Sequence, residues 1–186
     1  MILTTERIHM RPFRKEDCDD LYAIYSDEKT CRYLLHHAWQ RDECAIEVDI
    51  KIAENELTED RKLSLAVVLG ERVIGDISLW YTGMKDTVEI GYVFNDAYKG
   101  HGYAYEAVKH LIAHLFYERK IHRIQANMDA RNHASARLCQ KLGMRKEAHF
   151  IQDYWNKGEW TDSFVYGMLR DDLEKAMAND RADMAE

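Results

Sequence analysis

Two glycines separated by one residue stand between a strand-like and a helix-like segment of this chain. The stretch YVFNDAYKGHGYAYEAVKHLIAHLF, residues 92–116, contains Gly100 and Gly102 at that junction. Backbone N–H groups at the start of a helix point outward where the helix dipole is positive, and they form a natural cradle for phosphate. We therefore expect a phosphorylated ligand here. The alternative is that the glycines only shape a turn.

Two common nucleotide-binding motifs fit this loop poorly. A P-loop ends in Gly-Lys followed by Ser or Thr, and the chain has no such ending. A dinucleotide fingerprint needs a third glycine where Tyr105 stands, and it normally follows the first strand of a parallel sheet. Hairpins precede the loop in this chain, so both nucleotide interpretations are weakened.

The elements that must position the loop alternate along the chain. Alternating apolar residues predict a strand over 5–12, and short apolar or aromatic stretches bounded by turn residues predict strands over 63–69, 72–81, 87–94, 123–128, 144–150 and 160–169. Helical spacing predicts helices over 14–26, 41–54 and 133–142, in addition to the helix that follows the glycines. The three strands before the loop are joined by short turns, which favours antiparallel pairing. We expect a single domain over residues 1–177 and a polar, disordered tail over 178–186.

Composition limits the classes of partner. The chain has 186 residues with 26 Lys and Arg against 33 Asp and Glu, a formal net charge of −7. No affinity for nucleic acid or membrane is expected from this charge, and a basic partner suits it better. The N-terminus is charged where a signal peptide is apolar, and apolar runs are too short for a membrane span, so we expect a cytoplasmic protein. The scattered histidines and the four cysteines lack metal-ligand spacing, and no metal is predicted.

Three motifs in order along the chain resemble the GNAT family of acyl-CoA-dependent N-acetyltransferases. They are EIGYV at 89–93, KGHGYA at 99–104 and NHASARLCQKLGM at 132–144. The resemblance covers essentially the whole chain. It is strongest to the branch that acetylates the N-terminal alanine or serine of ribosomal proteins, and spermidine acetyltransferases are similar too. It implies an α/β (α+β) GNAT acyl-CoA N-acyltransferase fold, in which a mixed, mostly antiparallel, splayed central sheet has helices on both faces.

The resemblance implies acetyl-CoA (coenzyme A) as cofactor, with backbone amides from Gly100 to Ala104 on its pyrophosphate. Lys99 stands where the family usually has Gln or Arg, and it keeps the charge while losing the planar donor geometry. Asn132 is implied to bond the pantetheine arm, although a helix cap alone explains its residue type. The complete expected cofactor set is Tyr92, Val93, Lys99, Gly100, His101, Gly102, Tyr103, Ala104, Asn132 and Ser135.

The chemistry needs a base and an oxyanion donor, because an amine attacks a thioester as a neutral nucleophile. By resemblance, Glu89 is the general base and the backbone N–H of Val93 polarises the thioester carbonyl. Alternation with its neighbours also permits Glu89 to face solvent. Cys139 stands where many members have a tyrosine that protonates the leaving thiolate. Ser135 matches a serine of the ribosomal-protein branch and is our preferred acid, although serine also suits a first helical turn.

The acceptor is expected to be a primary amine, most simply the N-terminal α-amine of a basic, ribosomal-type protein or peptide. The alternatives are a polyamine of the spermidine type or another small amine, and a non-catalytic acyl-CoA-binding module. Glu89 favours an enzyme, whereas Cys139 keeps the binding module open. Aromatic residues mostly pack in cores or edges, but three of them fall where this fold places its acceptor groove: Trp39, Tyr81 and Tyr154. The apolar final strand could pair between subunits, so the sequence permits either a monomer or a homodimer.

Overall fold

A computed structural model describes residues 1–183 of the protein, and the chain forms two compact units. Unit 1 contains Met1–Tyr81 and Ile90–Leu111. Unit 2 contains Thr82–Glu89 and the chain from Ile112 onward. The sequence predicted a single domain over residues 1–177. Strand β6 and helix α4 each contribute residues to both units.

The described residues form nine strands and six helices, mixed along the chain. The strands are β1 Leu3–Thr4, β2 His9–Arg11, β3 Asn55–Thr58, β4 Arg61–Leu69, β5 Arg72–Tyr81, β6 Thr87–Phe94, β7 Arg123–Asp129, β8 Arg145–Asn156 and β9 Glu159–Leu169. The helices are α1 Cys18–Tyr25, α2 Glu28–Cys31, α3 Cys44–Ala53, α4 Tyr103–Tyr117, α5 His133–Lys141 and α6 Arg170–Asp183.

In unit 1 the strands follow the order β1-β2-β4-β5 and then the second part of β6, with β3 also paired to β4. The β4–β5 hairpin turns at Gly70, whose φ is +59°, a conformation that glycine adopts without steric cost. Residues 63–68 of β4 are buried without interruption, so both faces of this strand are covered. One face of β4 packs in a core cluster to which α1 and α3 also contribute. Their residues in this cluster include Leu21, Ile24, Cys44 and Val48.

The first predicted strand, over 5–12, is wrong in its first half. Thr5 N–H donates to the carbonyl of Ile8 at 2.9 Å, which closes a turn between β1 and β2. Only His9–Arg11 continues as a strand, paired with β4. The expected inward positions Ile8 and Met10 are nevertheless buried. The turn brings Thr5 and Arg7 to helix α4, as described below.

In unit 2 the first residues of β6 pair with β7 in parallel, over Thr87–Glu89 and Arg123–Gln125. Strand β9 pairs antiparallel with β7 on one side and with β8 on the other. Both edges of β9 are thus occupied within the chain, which leaves no edge of this strand for the pairing between subunits that the sequence permitted. The last strand in the order is β8. The pairing is mixed and mostly antiparallel, which confirms the predicted sheet type.

Several elements differ from the predicted boundaries. The short helix α2 and the strand β3 were not predicted, and β8 runs to Asn156 instead of ending at Phe150. Asp27 caps α2 by accepting from Thr30 N–H at 3.0 Å. Helix α6 reaches Asp183, so it includes residues 178–183 of the expected tail. The remainder of that tail, 184–186, lies outside the described residues. Over residues 1–183, none of the helices combines the length and apolar character that a membrane span requires.

Candidate active site

The glycine loop in unit 1 has the backbone conformation that its glycines permit. Gly100 and Gly102 have φ of +84° and +81°, a region in which other residues are strained. A Cβ built on Gly100 meets no atom within 4 Å, and one on Gly102 meets only Arg7 Nη2 at 3.6 Å. Helix α4 begins directly after the loop, with Glu106 N–H donating to Gly102 O at 3.0 Å. The N–H groups at a helix start point away from the helix along its positive dipole end, so the loop fits a phosphate group.

Lys99 leads into this loop from a short helical turn over Asp96–Tyr98. Asn95 caps that turn by accepting from Ala97 N–H at 3.0 Å. The Lys99 ammonium lies 3.3 Å from Asp96 Oδ1, and both side chains are largely exposed. An exposed pair of this kind is weak, so Lys99 stays available as a mobile cation beside the loop.

The sequence analysis missed an ion pair that anchors the loop. Arg7 Nε donates to Glu106 Oε2 at 2.6 Å, and Arg7 Nη1 donates to the carbonyl of His101 at 3.0 Å. The guanidinium also lies 4.6 Å from the centre of the Tyr103 ring. Thr5 Oγ1 donates to the same carboxylate. The turn before β2 is thus bonded to both the glycine loop and the first turn of α4.

Glu89, the expected general base, is a half-buried residue of β6 in unit 2. Its Oε2 accepts from Gln125 Nε2 at 2.8 Å, and the two residues are also register partners in the parallel β6–β7 pairing. Glu89 is therefore partly shielded from solvent and held by one hydrogen bond. Gln125 was not singled out from the sequence, because the partner of a strand residue on a distant strand leaves no local signal.

Strand β6 continues into unit 1 with the expected cofactor residues Tyr92 and Val93. Both are half-buried. Val93 packs against the core cluster that contains Tyr25 and Trp39. Its side chain is therefore fixed, which leaves the backbone as the part of Val93 that can act on a ligand.

Asn132 and Ser135 lie at the start of α5 in unit 2. Asn132 Oδ1 accepts from Ser135 N–H at 3.1 Å, so Asn132 is the helix cap that the sequence allowed. Ser135 is half-buried on the first turn, whereas Cys139 is buried without exposed surface. Cys139 lies near Tyr166. Burial raises the pKa of Tyr166, and a negative charge on Cys139 would raise it further.

The expected acceptor residues have different surroundings. Trp39 is only 7% exposed and stacks on Tyr25 with ring centres 4.3 Å apart, so it packs in the core cluster. Tyr81 is half-buried at the end of β5 in unit 1. Tyr154 is 45% exposed in unit 2, on a hairpin that also exposes Trp155 and Trp160. Tyr154 is therefore the most accessible of the three.

A buried charged group explains why Trp39 is held in the core. Asp76 is 2% exposed, accepts from Tyr25 Oη at 2.6 Å and pairs with Lys51. Burial first, and then the charge of Asp76, raise the pKa of Tyr25. The other oxygen of Asp76, Oδ1, is buried without a hydrogen-bond partner in the described residues. The stacked Tyr25 ring is thereby fixed, and Trp39 with it.

The side chains that the structure describes can be compared with the arrangement that a metal site requires. No group of three or more His, Cys, Asp or Glu residues in residues 1–183 is arranged to hold an ion. The four cysteines are free thiols. The Sγ atoms of Cys18 and Cys44 lie 2.6 Å apart, and burial raises the pKa of Cys44 to about 12.

A mixed, mostly antiparallel sheet followed by a glycine loop at a helix start defines the acyl-CoA-dependent acetyltransferases, and comparisons with known proteins agree. The model of the acetyltransferase (GNAT) domain matches residues 7–145, and the chain belongs to this family. The uncharacterised N-acetyltransferase YnaD of Bacillus subtilis (strain 168) is 31% identical over 174 residues, 92% of this chain and 99% of that protein.

Solved structures show the same fold. A GNAT-family acetyltransferase from Bacillus anthracis superposes with a TM-score of 0.82 at 28% identity, covering 92% of this chain and 99% of that one. The ribosomal α-N-protein acetyltransferase RimL, solved in complex with coenzyme A, superposes with a TM-score of 0.80 at 15% identity. The match covers 92% of this chain and 99% of RimL. The protein is a GNAT N-acetyltransferase, and its cofactor is acetyl-CoA.

Proposed function

We propose that the protein acetylates the N-terminal α-amine of a basic protein or peptide. The observation that carries this proposal is the half-buried Glu89 carboxylate, oriented by a hydrogen bond from Gln125 at 2.8 Å. A neutral amide donor orients a carboxylate without pairing it with a cation, which suits a general base. RimL, a structural neighbour with the same fold, is a ribosomal α-N-protein acetyltransferase, and the proposal extends that class of acceptor to this chain.

The ionisation of amines favours this acceptor over a lysine or a polyamine. A peptide α-amine has a pKa of about 7.7 to 8.0 and a lysine amine about 10.4, so at neutral pH the nucleophilic form is a few hundredfold more abundant for the α-amine. That ratio corresponds to roughly 3 kcal/mol before any contact with the enzyme. An enzyme with one modest base reaches an α-amine more easily. The net charge of −7 suits basic proteins and polyamines alike.

The central residues of the expected site are then assigned these roles. Bound acetyl-CoA supplies the activated acetyl group as a thioester. Amides of Gly100–Ala104 would hold the pyrophosphate of this cofactor, and Asn132 would bond its pantetheine arm. Glu89 accepts the proton of the attacking amine, the N–H of Val93 polarises the carbonyl, and Ser135 donates a proton to the leaving sulfur.

The family match covers residues 7–145, and we propose that these residues form one acetyltransferase domain. We place this domain in the cytoplasm, where ribosomal proteins are made and their N-termini are accessible. The protein acts there as a monomer or a homodimer.

Replacing Glu89 tests its proposed role as the general base. Glu89→Gln retains an oxygen that can accept from Gln125, so the fold should be kept while the proton acceptor is lost. With a short basic peptide as acceptor, we expect kcat to fall about 100-fold or more at neutral pH, with little change in the Kd of acetyl-CoA. Steady-state kinetics and calorimetric titration measure the two quantities.

Glu56→Gln is the matched control, because Glu56 is an exposed glutamate of β3. It should leave kcat unchanged. A wild-type rate in Glu89→Gln would move the base elsewhere. Absence of peptide acetylation by the wild-type protein would overturn the proposed acceptor.

A further inference from the structure

The first turn of α4 carries an acidic side chain close to the expected phosphate cradle. Glu106 lies in this turn, and its side chain is 18% exposed. An uncompensated carboxylate there would repel a pyrophosphate bound at the same helix start, because like charges oppose each other strongly where solvent is partly excluded. The position therefore needs a compensating cation if the loop is to bind an anion.

Arg7 supplies that cation with specific geometry. Its Nε and Nη2 both lie on Glu106 Oε2, and its backbone N–H donates to Oε1 at 3.2 Å. Burial would raise the pKa of Glu106, but the hydrogen bonds from Thr5 and Arg7 outweigh it and lower that pKa. The carboxylate therefore stays ionised and neutralised by the guanidinium.

The same guanidinium also holds the loop itself. Nη1 donates to the carbonyl of His101, the residue between the two glycines, at 3.0 Å. The planar group lies over the Tyr103 ring at 4.6 Å. A lysine ammonium could not make these contacts together, because it lacks the planar fork of donors. Gly100 and Gly102 otherwise give this segment many accessible conformations.

We infer that Arg7 is a positioning residue for the cofactor's pyrophosphate, which it serves by fixing the glycine loop through His101 and by neutralising Glu106. The inference rests on the proposed placement of the pyrophosphate at Gly100–Ala104. Nε, Nη1 and Nη2 are all engaged within the protein, so Arg7 acts through the loop and does not need to touch the cofactor.

The test compares two ligands in Arg7→Gln and in the conservative variant Arg7→Lys. Coenzyme A and 3′-dephospho-coenzyme A both contain the pyrophosphate, and only the first has the 3′-phosphate. We expect Arg7→Gln to raise the Kd of both ligands by about tenfold and by the same factor, with a smaller rise in Arg7→Lys. The KM of acetyl-CoA should rise in parallel, while kcat stays within about twofold of wild type.

Arg72→Gln is the matched control in the same unit. Arg72 Nη2 lies 3.1 Å from Asp20 Oδ1 at the start of β5, an ion pair of a similar kind on the surface. This variant should bind both ligands as wild type does. The double variant Arg7→Gln/Glu106→Gln should recover part of the lost affinity, because it removes the unpaired carboxylate.

Several outcomes would overturn the inference. Unchanged affinity in folded Arg7→Gln and Arg7→Lys would do so. A loss confined to coenzyme A would show instead a direct contact with the 3′-phosphate, and an equal loss in Arg72→Gln would show a general effect on the fold. Failure of the wild-type protein to bind either ligand is a separate result, which would overturn the proposed cofactor site together with this inference.

Discussion

Ser135 and Cys139 are the two side chains that could protonate the leaving thiolate, and their environments differ. Ser135 is half-buried on the first turn of α5. Its backbone N–H donates to the Asn132 side chain in the helix cap. Cys139 is buried without exposed surface, one turn further along the helix. A proton donor must reach the reacting atoms, so the geometry favours Ser135.

Two alanine substitutions separate these roles. Ser135→Ala keeps the backbone bond to Asn132, so we expect kcat to fall about tenfold or more with little loss of stability. Cys139→Ala removes a buried sulfur and should lower the melting temperature while changing kcat by less than about threefold. Steady-state rates and thermal unfolding measure both effects. The reverse ranking of the two rates would assign the proton to the thiol.

Local signals at single residues were predictable, and distant partners were not. Both glycines adopt the positive φ that their type allows, and Asn132 caps the helix that its position suggests. Arg7 and Gln125 were missed, because their partners Glu106 and Glu89 lie 99 and 36 residues away in the sequence. No periodicity of apolar residues encodes such pairs.

At the scale of elements, the loop before α4 can be compared with the turn between β4 and β5. Gly100 and Gly70 have φ of +84° and +59°, and a Cβ on either meets no atom within 4 Å. Alanine at either position therefore introduces a similar backbone strain, about 1 to 2 kcal/mol for a left-handed residue. Only Gly100 lies in the expected phosphate cradle.

Gly100→Ala should therefore raise the Kd of acetyl-CoA by about tenfold, whereas Gly70→Ala should leave it unchanged. Both variants should lower the melting temperature of the free protein by similar amounts. Calorimetric titration and thermal unfolding, with and without acetyl-CoA, give these values. Equal affinity for acetyl-CoA in the two variants would contradict the placement of the pyrophosphate at this loop.

Apolar stretches bounded by clear turn residues made some elements predictable to the residue. Strands β5 and β6 have the predicted bounds, Arg72–Tyr81 and Thr87–Phe94. The first strand failed because the Thr5–Ile8 turn preserves the inward position of Ile8 without strand pairing. Strand β8 was predicted too short, because it is exposed along most of its length and its sequence lacks an apolar face.

At the scale of the whole molecule, family membership and net charge narrow the chemical class of the acceptor but do not identify it. The match to the GNAT domain covers residues 7–145, and the formal charge is −7. An acidic enzyme attracts a basic acceptor through long-range electrostatics, which salt weakens. Ribosomal proteins and polyamines are both basic, so charge alone does not choose between them. The choice depends on which amine the site deprotonates.

The most direct measurement is kcat/KM for three acceptors under identical conditions. They are a short basic peptide with a free N-terminus, the same peptide with a blocked N-terminus and its lysines intact, and spermidine. We expect the free N-terminus to be preferred by at least about tenfold, because its neutral form is far more abundant. Equal or faster acetylation of the blocked peptide or of spermidine would contradict the proposed α-amine specificity.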